Sequence, residues 1–278
     1  MQNTRKIIKK HQIHLTKSLG QNFLTDVNVV KKIVDTADIT EDDVIIEVGP
    51  GIGTMTLELA KRAKKVIAIE IDKRLVPALE ENLNNFSNVQ IINMDIMKVD
   101  TNAIISEYKG LNIKVVANLP YYITTPIIMK FLEEDAQVQM MVFMIQKEVA
   151  QRIVAQPGTK EYGALSVAVQ YYSKPEKVFD VSPHCFIPQP DVDSTVIKLV
   201  INKKPPVELL DKNVFFKTVK CSFAQRRKTL INALYNTGGF NKSKEQIKEL
   251  LKTIGVDENT RGEMLSIQQF AMLSNLLS

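Results

Sequence analysis

The chain has 278 residues, 45% hydrophobic and 24% charged, with a net charge of +5 at pH 7. That balance belongs to a globular protein with enough apolar material for a sizeable core, and it excludes a fibrous or disordered chain. Two cysteines, Cys185 and Cys221, are too few for a disulfide framework or a zinc site, and neither a membrane-length apolar run nor the apolar stretch of a signal peptide is visible.

These features give the expectation of a reduced, cytoplasmic setting with no metal and no membrane. The charge is unevenly spread: residues 1–32 carry +6, residues 203–278 carry +6, and the stretch between carries −7. Two basic ends flanking a mildly acidic body suit a polyanion such as nucleic acid, although solvated surface lysines produce the same count.

In chain order, the first motif is Leu19-Gly20-Gln21-Asn22-Phe23-Leu24, followed by helical spacing in Val29, Val30, Ile33 and Val34. Phe23 and Leu24 read as a hydrophobic latch, and Asn22 reads equally as a loop cap or a ligand contact. Val44-Ile45-Ile46-Glu47-Val48-Gly49 is a near-continuous apolar strand, as a parallel sheet buried on both faces requires. It runs into Gly49-Pro50-Gly51-Ile52-Gly53, and Thr54 opens a helix. Strand, glycine turn, helix is the opening of a nucleotide-binding α/β fold; Gly49 and Gly51 let the backbone approach a ligand closely.

A second strand, Val66–Glu70, ends in an acid suited to the hydroxyls of a ribose, and a helix follows from about Arg74 to Asn82. A third, Val89–Met94, ends at Asp95, placed to meet an exocyclic amine of adenine. A fourth, Lys114–Ala117, stops at Asn118, where Leu119, Pro120, Tyr121 and Tyr122 follow. Turn glycine, surface acid and cap are bland explanations for each strand end taken singly. Four in regular βα spacing favour a ligand site.

The glycine pattern lacks the third glycine of the dinucleotide fingerprint, since Thr54 stands there, and no Walker lysine follows. A ligand with adenine and ribose but no phosphate fits better, and S-adenosylmethionine is such a ligand. Its methionine end would lie over the glycine turn.

Thr125 is the expected N-cap of a helix with Pro126 at its first position. Met140–Ile145 reads as a fifth strand, its methionines as core. Helices are expected over Glu148–Val154 and Ala164–Tyr171, and strands around Lys177–Phe179 and Ser194–Ile201. Between the last two lies a loop stiffened by Pro183, Pro188 and Pro190. Two readings fit Phe186 in this loop: the second wall of a stacking pocket opposite Tyr121, or a core residue under the loop. His184 reads as structural.

Lys203-Lys204-Pro205-Pro206 marks a boundary between a catalytic domain, 1–202, and a helical basic domain, 203–278. Within the latter, Phe216, Val219, Phe223, Leu230 and Leu234 share a helical face, and Arg226, Arg227 and Lys228 in the same helix form a basic cluster that reads either as a grip for phosphates, which the charge partition favours, or as a solvated surface.

The stretches Leu19–Leu24, Glu47–Gly53, Asn118–Pro126, Phe186–Ser194 and Phe223–Leu230 together resemble the ribosomal RNA adenine dimethyltransferases, most closely the small-subunit (KsgA) type. The large-subunit, macrolide-resistance (Erm) type is less similar at the Asn118–Tyr122 and Arg226–Lys228 stretches. The resemblance implies a Rossmann-like α/β methyltransferase domain with a small all-helical C-terminal domain. It implies four methyl transfers from S-adenosylmethionine to N6 of two adjacent adenosines near the 3′ end of small-subunit rRNA, in an immature 30S particle. A link to late subunit assembly and kasugamycin sensitivity comes with it, and nothing in the chain demands more than a monomer.

By the same resemblance the cofactor contacts are Asn22, Leu24, Gly49, Glu70, Asp95 and Asn118, with Gly51 in the turn beneath. Asn118 and the Leu119 carbonyl accept the hydrogens of the adenine amine, Tyr121 stacks on the flipped base and Phe186 closes the other side. The rival readings are the same chemistry on DNA, or a non-catalytic assembly or transcription factor built on the same fold.

Overall fold

The computed structural model describes residues 4–11, 13, 20–134 and 137–278; Leu19 of the first motif lies outside the described residues. The chain forms two compact units, residues 1–150 with 175–201 and residues 151–174 with 202–278. The second unit therefore does not begin at Lys203: it also takes residues 151–174 from the stretch that composition assigned to the catalytic domain. The Lys-Lys-Pro-Pro signal marks the last passage into that unit, not the first.

In chain order the first unit contains helix α1 (Thr4–Lys10), strand β1 (Phe23–Leu24), α2 (Val27–Thr36), β2 (Asp43–Val48), α3 (Thr54–Ala60), β3 (Lys65–Glu70), α4 (Val76–Leu83) and β4 (Val89–Asn93). Then come α5 (Thr101–Ser106), β5 (Asn112–Asn118), α6 (Thr124–Glu133), β6 (Val138–Gln146) and the start of α7 (Lys147–Val154), which ends in the second unit, with β7 (Ser173–Val181, its first two residues in the second unit), β8 (Phe186–Ile187) and β9 (Ser194–Ile201) later. The main sheet has seven strands in the order β4-β3-β2-β5-β6-β9-β7. Its first five are parallel, and β9 runs antiparallel to β6.

After β2 the chain builds outward through β3 and β4, then returns to place β5 on the other flank of β2. That reversal of direction opens a crevice at the carboxyl ends of β2 and β5.

The central strands form where the sequence is apolar on both faces, while the edge strands β4 and β7 are only partly buried. All six residues of β2 are buried, and Ile45, Val66, Val116 and Val142 share one core with Ile33 and Leu59. Asp26 caps α2, its carboxylate accepting from the amides of Asn28 and Val29. α6 begins at Thr124, one residue before the expected cap; the Thr124 hydroxyl instead donates back to the Pro120 carbonyl at 3.0 Å. Far from the crevice, Lys114 donates to Asp43 at 2.7 Å and to the carbonyls of Ala37 and Asp38. Burial pushes the Asp43 carboxyl up, but the Lys114 ammonium and the Thr40 amide outweigh it and hold it low.

The second unit is helical: α8 (Ala164–Tyr172), α9 (Lys212–Ala224), α10 (Leu230–Asn236), α11 (Lys244–Thr253) and α12 (Ile267–Leu277). They enclose Tyr162, Phe215, Leu234, Leu251 and Phe270, all fully buried. Ser243 with Gln246 and Ser266 with Gln269 form capping boxes that start α11 and α12.

Candidate active site

β5 delivers Asn118 to the crevice. Its side-chain amide donates to the Asn22 carbonyl at 3.0 Å, which fixes the carboxamide and leaves its oxygen as the acceptor on the other side. The backbone then turns. The Leu119 amide donates to the Met144 carbonyl at 3.1 Å, Pro120 sets the backbone at φ −59°, and Tyr121–Ile123 form a single 3-10 turn. The Tyr121 hydroxyl lies 2.7 Å from Ser194 Oγ, a fully buried residue at the start of β9. This bond and the turn aim the Tyr121 ring along the crevice wall. Tyr122 beside it is 55% exposed.

The glycine turn after β2 forms the floor. Gly49 has φ +67°, and a Cβ built there meets nothing within 4 Å, so this glycine opens space in the crevice. Gly51 serves packing instead: a Cβ there would come within 2.8 Å of the Phe23 ring. Glu70 at the end of β3 is buried and accepts from the Gly51 amide at 3.0 Å and the Asp72 amide at 2.8 Å. Burial nevertheless keeps its carboxyl above the usual range. Each oxygen retains a lone pair with which to receive a hydroxyl.

The segment 20–25 lies over the crevice and is tied at both ends. Gln21 donates to Asp72 at 2.8 Å, and Thr25 bonds the Cys185 carbonyl through its amide at 2.8 Å and its hydroxyl at 3.0 Å. Arg74 clamps Asp72 through two guanidinium bonds of 2.8 and 2.6 Å, and this, with Gln21, outweighs burial and lowers the Asp72 carboxyl to about 2.

Asn22, Leu24, Gly49, Gly51, Glu70, Asn118, Leu119 and Tyr121 thus line one cavity of about 850 Å³, counted out to solvent. Asp95 lies in the adjoining recess, where Ile71, Met94 and Ile123 surround it and Gly49, Pro120 and Tyr122 are shared with the main cavity. One Asp95 oxygen accepts from the Met97 amide at 2.9 Å, so the residue is a cap as well as a recess wall.

Two expectations change. Phe186 is 1% exposed, paired with Leu24 across β8 and β1 and packed in the core with Val30 and Val142; it is not a wall of the cavity. The apolar ring is worth more under the loop than beside water. The basic cluster does not lie within a helix. α9 ends at Ala224, and Arg226, Arg227 and Lys228 occupy the turn before α10. Arg226 is held by its own unit: it donates to the carbonyls of Lys160 at 2.6 Å and Tyr162 at 3.1 Å, with Glu263 3.6 Å away. Arg227 and Lys228 are exposed.

Glu47 and Ser194 were not singled out as site residues by sequence. Glu47 is fully buried in the cavity wall, and among the described residues no well-formed hydrogen bond reaches either of its oxygens or Thr56 Oγ1 beside it. Burial pushes its carboxyl up to about 8, the neighbouring Glu70 charge adds to this, and Thr56 offsets it only in part. The signal available was an acid interrupting the apolar run of β2.

A crevice at a parallel-sheet switch point, with an acid after β3, an asparagine after β5 and a glycine turn that leaves space at Gly49, fits a nucleoside-bearing cofactor. The sequence profile of the family described as "Ribosomal RNA adenine dimethylase" matches residues 12–278. The chain belongs to that family.

Among curated relatives of this adenine dimethylase, "Ribosomal RNA small subunit methyltransferase A" of Clostridioides difficile (strain 630) is 53% identical over 99% of the chain and 95% of the relative. The protein of the same name from Alkaliphilus oremlandii (strain OhILAs) is 52% identical over 99% of the chain and 96% of the relative. Of solved structures, a dimethyladenosine transferase from Plasmodium falciparum superposes with a TM-score of 0.77 at 26% identity, covering 90% of this chain and 95% of that one. The 23S rRNA methyltransferase ErmE gives a TM-score of 0.71 at 26% identity, covering 92% and 99%. The adenine dimethylase fold is thus a Rossmann-like α/β methyltransferase fold with a helical region, and its members are S-adenosylmethionine-dependent enzymes.

Proposed function

We propose that this chain dimethylates N6 of two adjacent adenosines near the 3′ end of small-subunit rRNA, within an immature 30S particle, as a cytoplasmic monomer. The relatives that share about half of its residues over nearly its whole length carry small-subunit methyltransferase names. No helix among the described residues is long and apolar enough to cross a membrane.

The observation that carries the chemistry is the fixed carboxamide of Asn118, with its nitrogen committed to Asn22 and its oxygen left to accept. An adenine amine is a poor nucleophile because its lone pair is delocalised into the ring. Asn118 Oδ1 and the Leu119 carbonyl accept its two N–H bonds, favour a pyramidal nitrogen and direct the lone pair at the methyl group. S-adenosylmethionine supplies that methyl on a cationic sulfur, already activated as a donor. Tyr121, steadied by Ser194, stacks on the flipped base. The displaced proton passes to water. After the first transfer one N–H remains, so one acceptor is enough to hold the amine for the second.

Glu70 receives the ribose hydroxyls, Asp95 the adenine amine of the cofactor, and Asn22, Leu24, Gly49 and Gly51 the rest of it. Among the described residues no group of three or more metal-binding side chains gathers. Arg227 and Lys228 hold rRNA phosphates.

The test offers labelled S-adenosylmethionine with unmethylated small subunits, large-subunit rRNA and duplex DNA, then identifies the labelled nucleoside. Dimethyladenosine confined to small subunits is the expected result. Label in either other acceptor overturns the substrate assignment.

A further inference from the structure

Glu47 faces the cofactor cavity from β2 with no well-formed hydrogen bond and no cation at either oxygen, in a wall shared with Val30, Met55 and Leu24. The groups that meet it are few. On β2's flanks its register partners are Ala68 of β3 and Val116 of β5, neither titratable. From the end of β3 comes the Glu70 carboxylate, of the same sign, and from α3 the Thr56 hydroxyl, whose influence burial outweighs. Among the described residues that line the cavity with it there is no lysine or arginine. A carboxylate so deeply buried without a countercharge among the described residues is costly, and the neutral acid is the stable form. The cavity it lines accepts, on the reading above, a methyl donor that carries positive charge.

We propose that Glu47 is a neutral acid before the donor binds and ionises as the cationic donor enters, so that cofactor binding expels the Glu47 proton to solvent. The proton leaves the carboxyl oxygen for the buffer, no other bond changes, and the carboxylate left behind pairs with the donor's positive charge. Glu47 is then a positioning residue that makes the cavity selective for a cation without storing a buried bare charge in the meantime. This rests on S-adenosylmethionine being the ligand. It adds that binding tightens as pH rises toward about 8, the value to which burial pushes this acid.

The test is calorimetric titration of the full chain with S-adenosylmethionine at pH 7 in buffers of different ionisation enthalpy, for wild type and Glu47→Gln. The glutamine preserves the shape of the neutral acid, and a cooperative melt confirms that it folds. Wild type should release nearly one proton more per donor than the variant. Below pH 8, its affinity should rise up to tenfold per pH unit relative to the variant. Equal proton release in the two proteins overturns the proposal while leaving cofactor binding intact; no binding at all removes the cofactor reading and this inference with it. An independent readout needs no variant. The infrared band of a protonated buried carboxyl should disappear when donor is added to wild type, and its persistence overturns the proposal.

Discussion

Asn118 does two jobs with the two ends of one small side chain. Its nitrogen anchors the Asn22 carbonyl, and in the proposed mechanism its oxygen accepts from the reacting amine. Asn118→Ala should therefore cut methyl incorporation into small subunits by about 10²–10³-fold, the range for losing one preorganised polar group at a reacting centre. Labelled-methyl kinetics under cofactor saturation check this. Glu47 makes a separate prediction about the unliganded protein. Burial pushes its carboxyl up to about 8 from the ordinary glutamate value of 4.5, so the folded state holds the proton more tightly. The stability contributed is full below about pH 4.5 and is lost as pH rises through about 8. Melting temperatures of wild type should fall across that window relative to Glu47→Gln, which has no proton to lose. The position of Glu47 was legible as an acid inside an apolar strand. Its isolation was not, because that depends on what α3 and β3 place around it.

Strand ends were the most legible elements. A parallel strand buried on both faces leaves a near-unbroken apolar run, and the first polar residue after it marks the sheet's carboxyl edge. That is why Gly49, Glu70 and Asn118 stand out by spacing, whereas Asp95 follows the edge strand β4, which is only partly buried and already carries Gln90 and Asn93. Loops and turns were less legible, since their roles are set by distant partners. Phe186 in its proline-rich loop looks the same whether it faces a base or the core, and only its pairing with Leu24 decides. Arg226, Arg227 and Lys228 look equivalent in sequence, yet Arg226 is committed to the carbonyls of Lys160 and Tyr162. The turn between α9 and α10 should accordingly split on mutation. Arg226→Ala should lower the stability of the chain by about 0.5–1.5 kcal/mol, the net worth of a part-exposed hydrogen bond. Arg227→Ala and Lys228→Ala should spare stability, and each should reduce the slope of log affinity against log salt for rRNA by about 1. Paired melting and filter-binding measurements separate the two classes.

At the scale of the whole molecule, the basic surplus after residue 203 and at the N-terminus was readable from composition, but the wiring was not. Proline and lysine signals mark where a chain is exposed, whereas residues 151–174 enter the helical unit without such a signal. Tyr162 and Val167 of that stretch are fully buried against partners such as Phe215 and Phe270, which come from the far end of the chain. A fragment ending at Ile201 should therefore expose these apolar side chains and aggregate instead of behaving as an independent catalytic domain. Light scattering and a thermal melt of the purified fragment check this; a monodisperse, cooperatively melting fragment would contradict it.

The same wiring sets a waiting time during synthesis. α8 leaves the ribosome while Leu277, a member of its own core, is still to be made. The intervening hundred or so residues take about 5–20 s at ordinary elongation rates of ~5–20 residues per second. Throughout that interval α8 is an orphan amphipathic helix tethered to a growing chain, a natural customer for chaperones. The yield of folded protein should depend on that interval more than on the final stability of either unit.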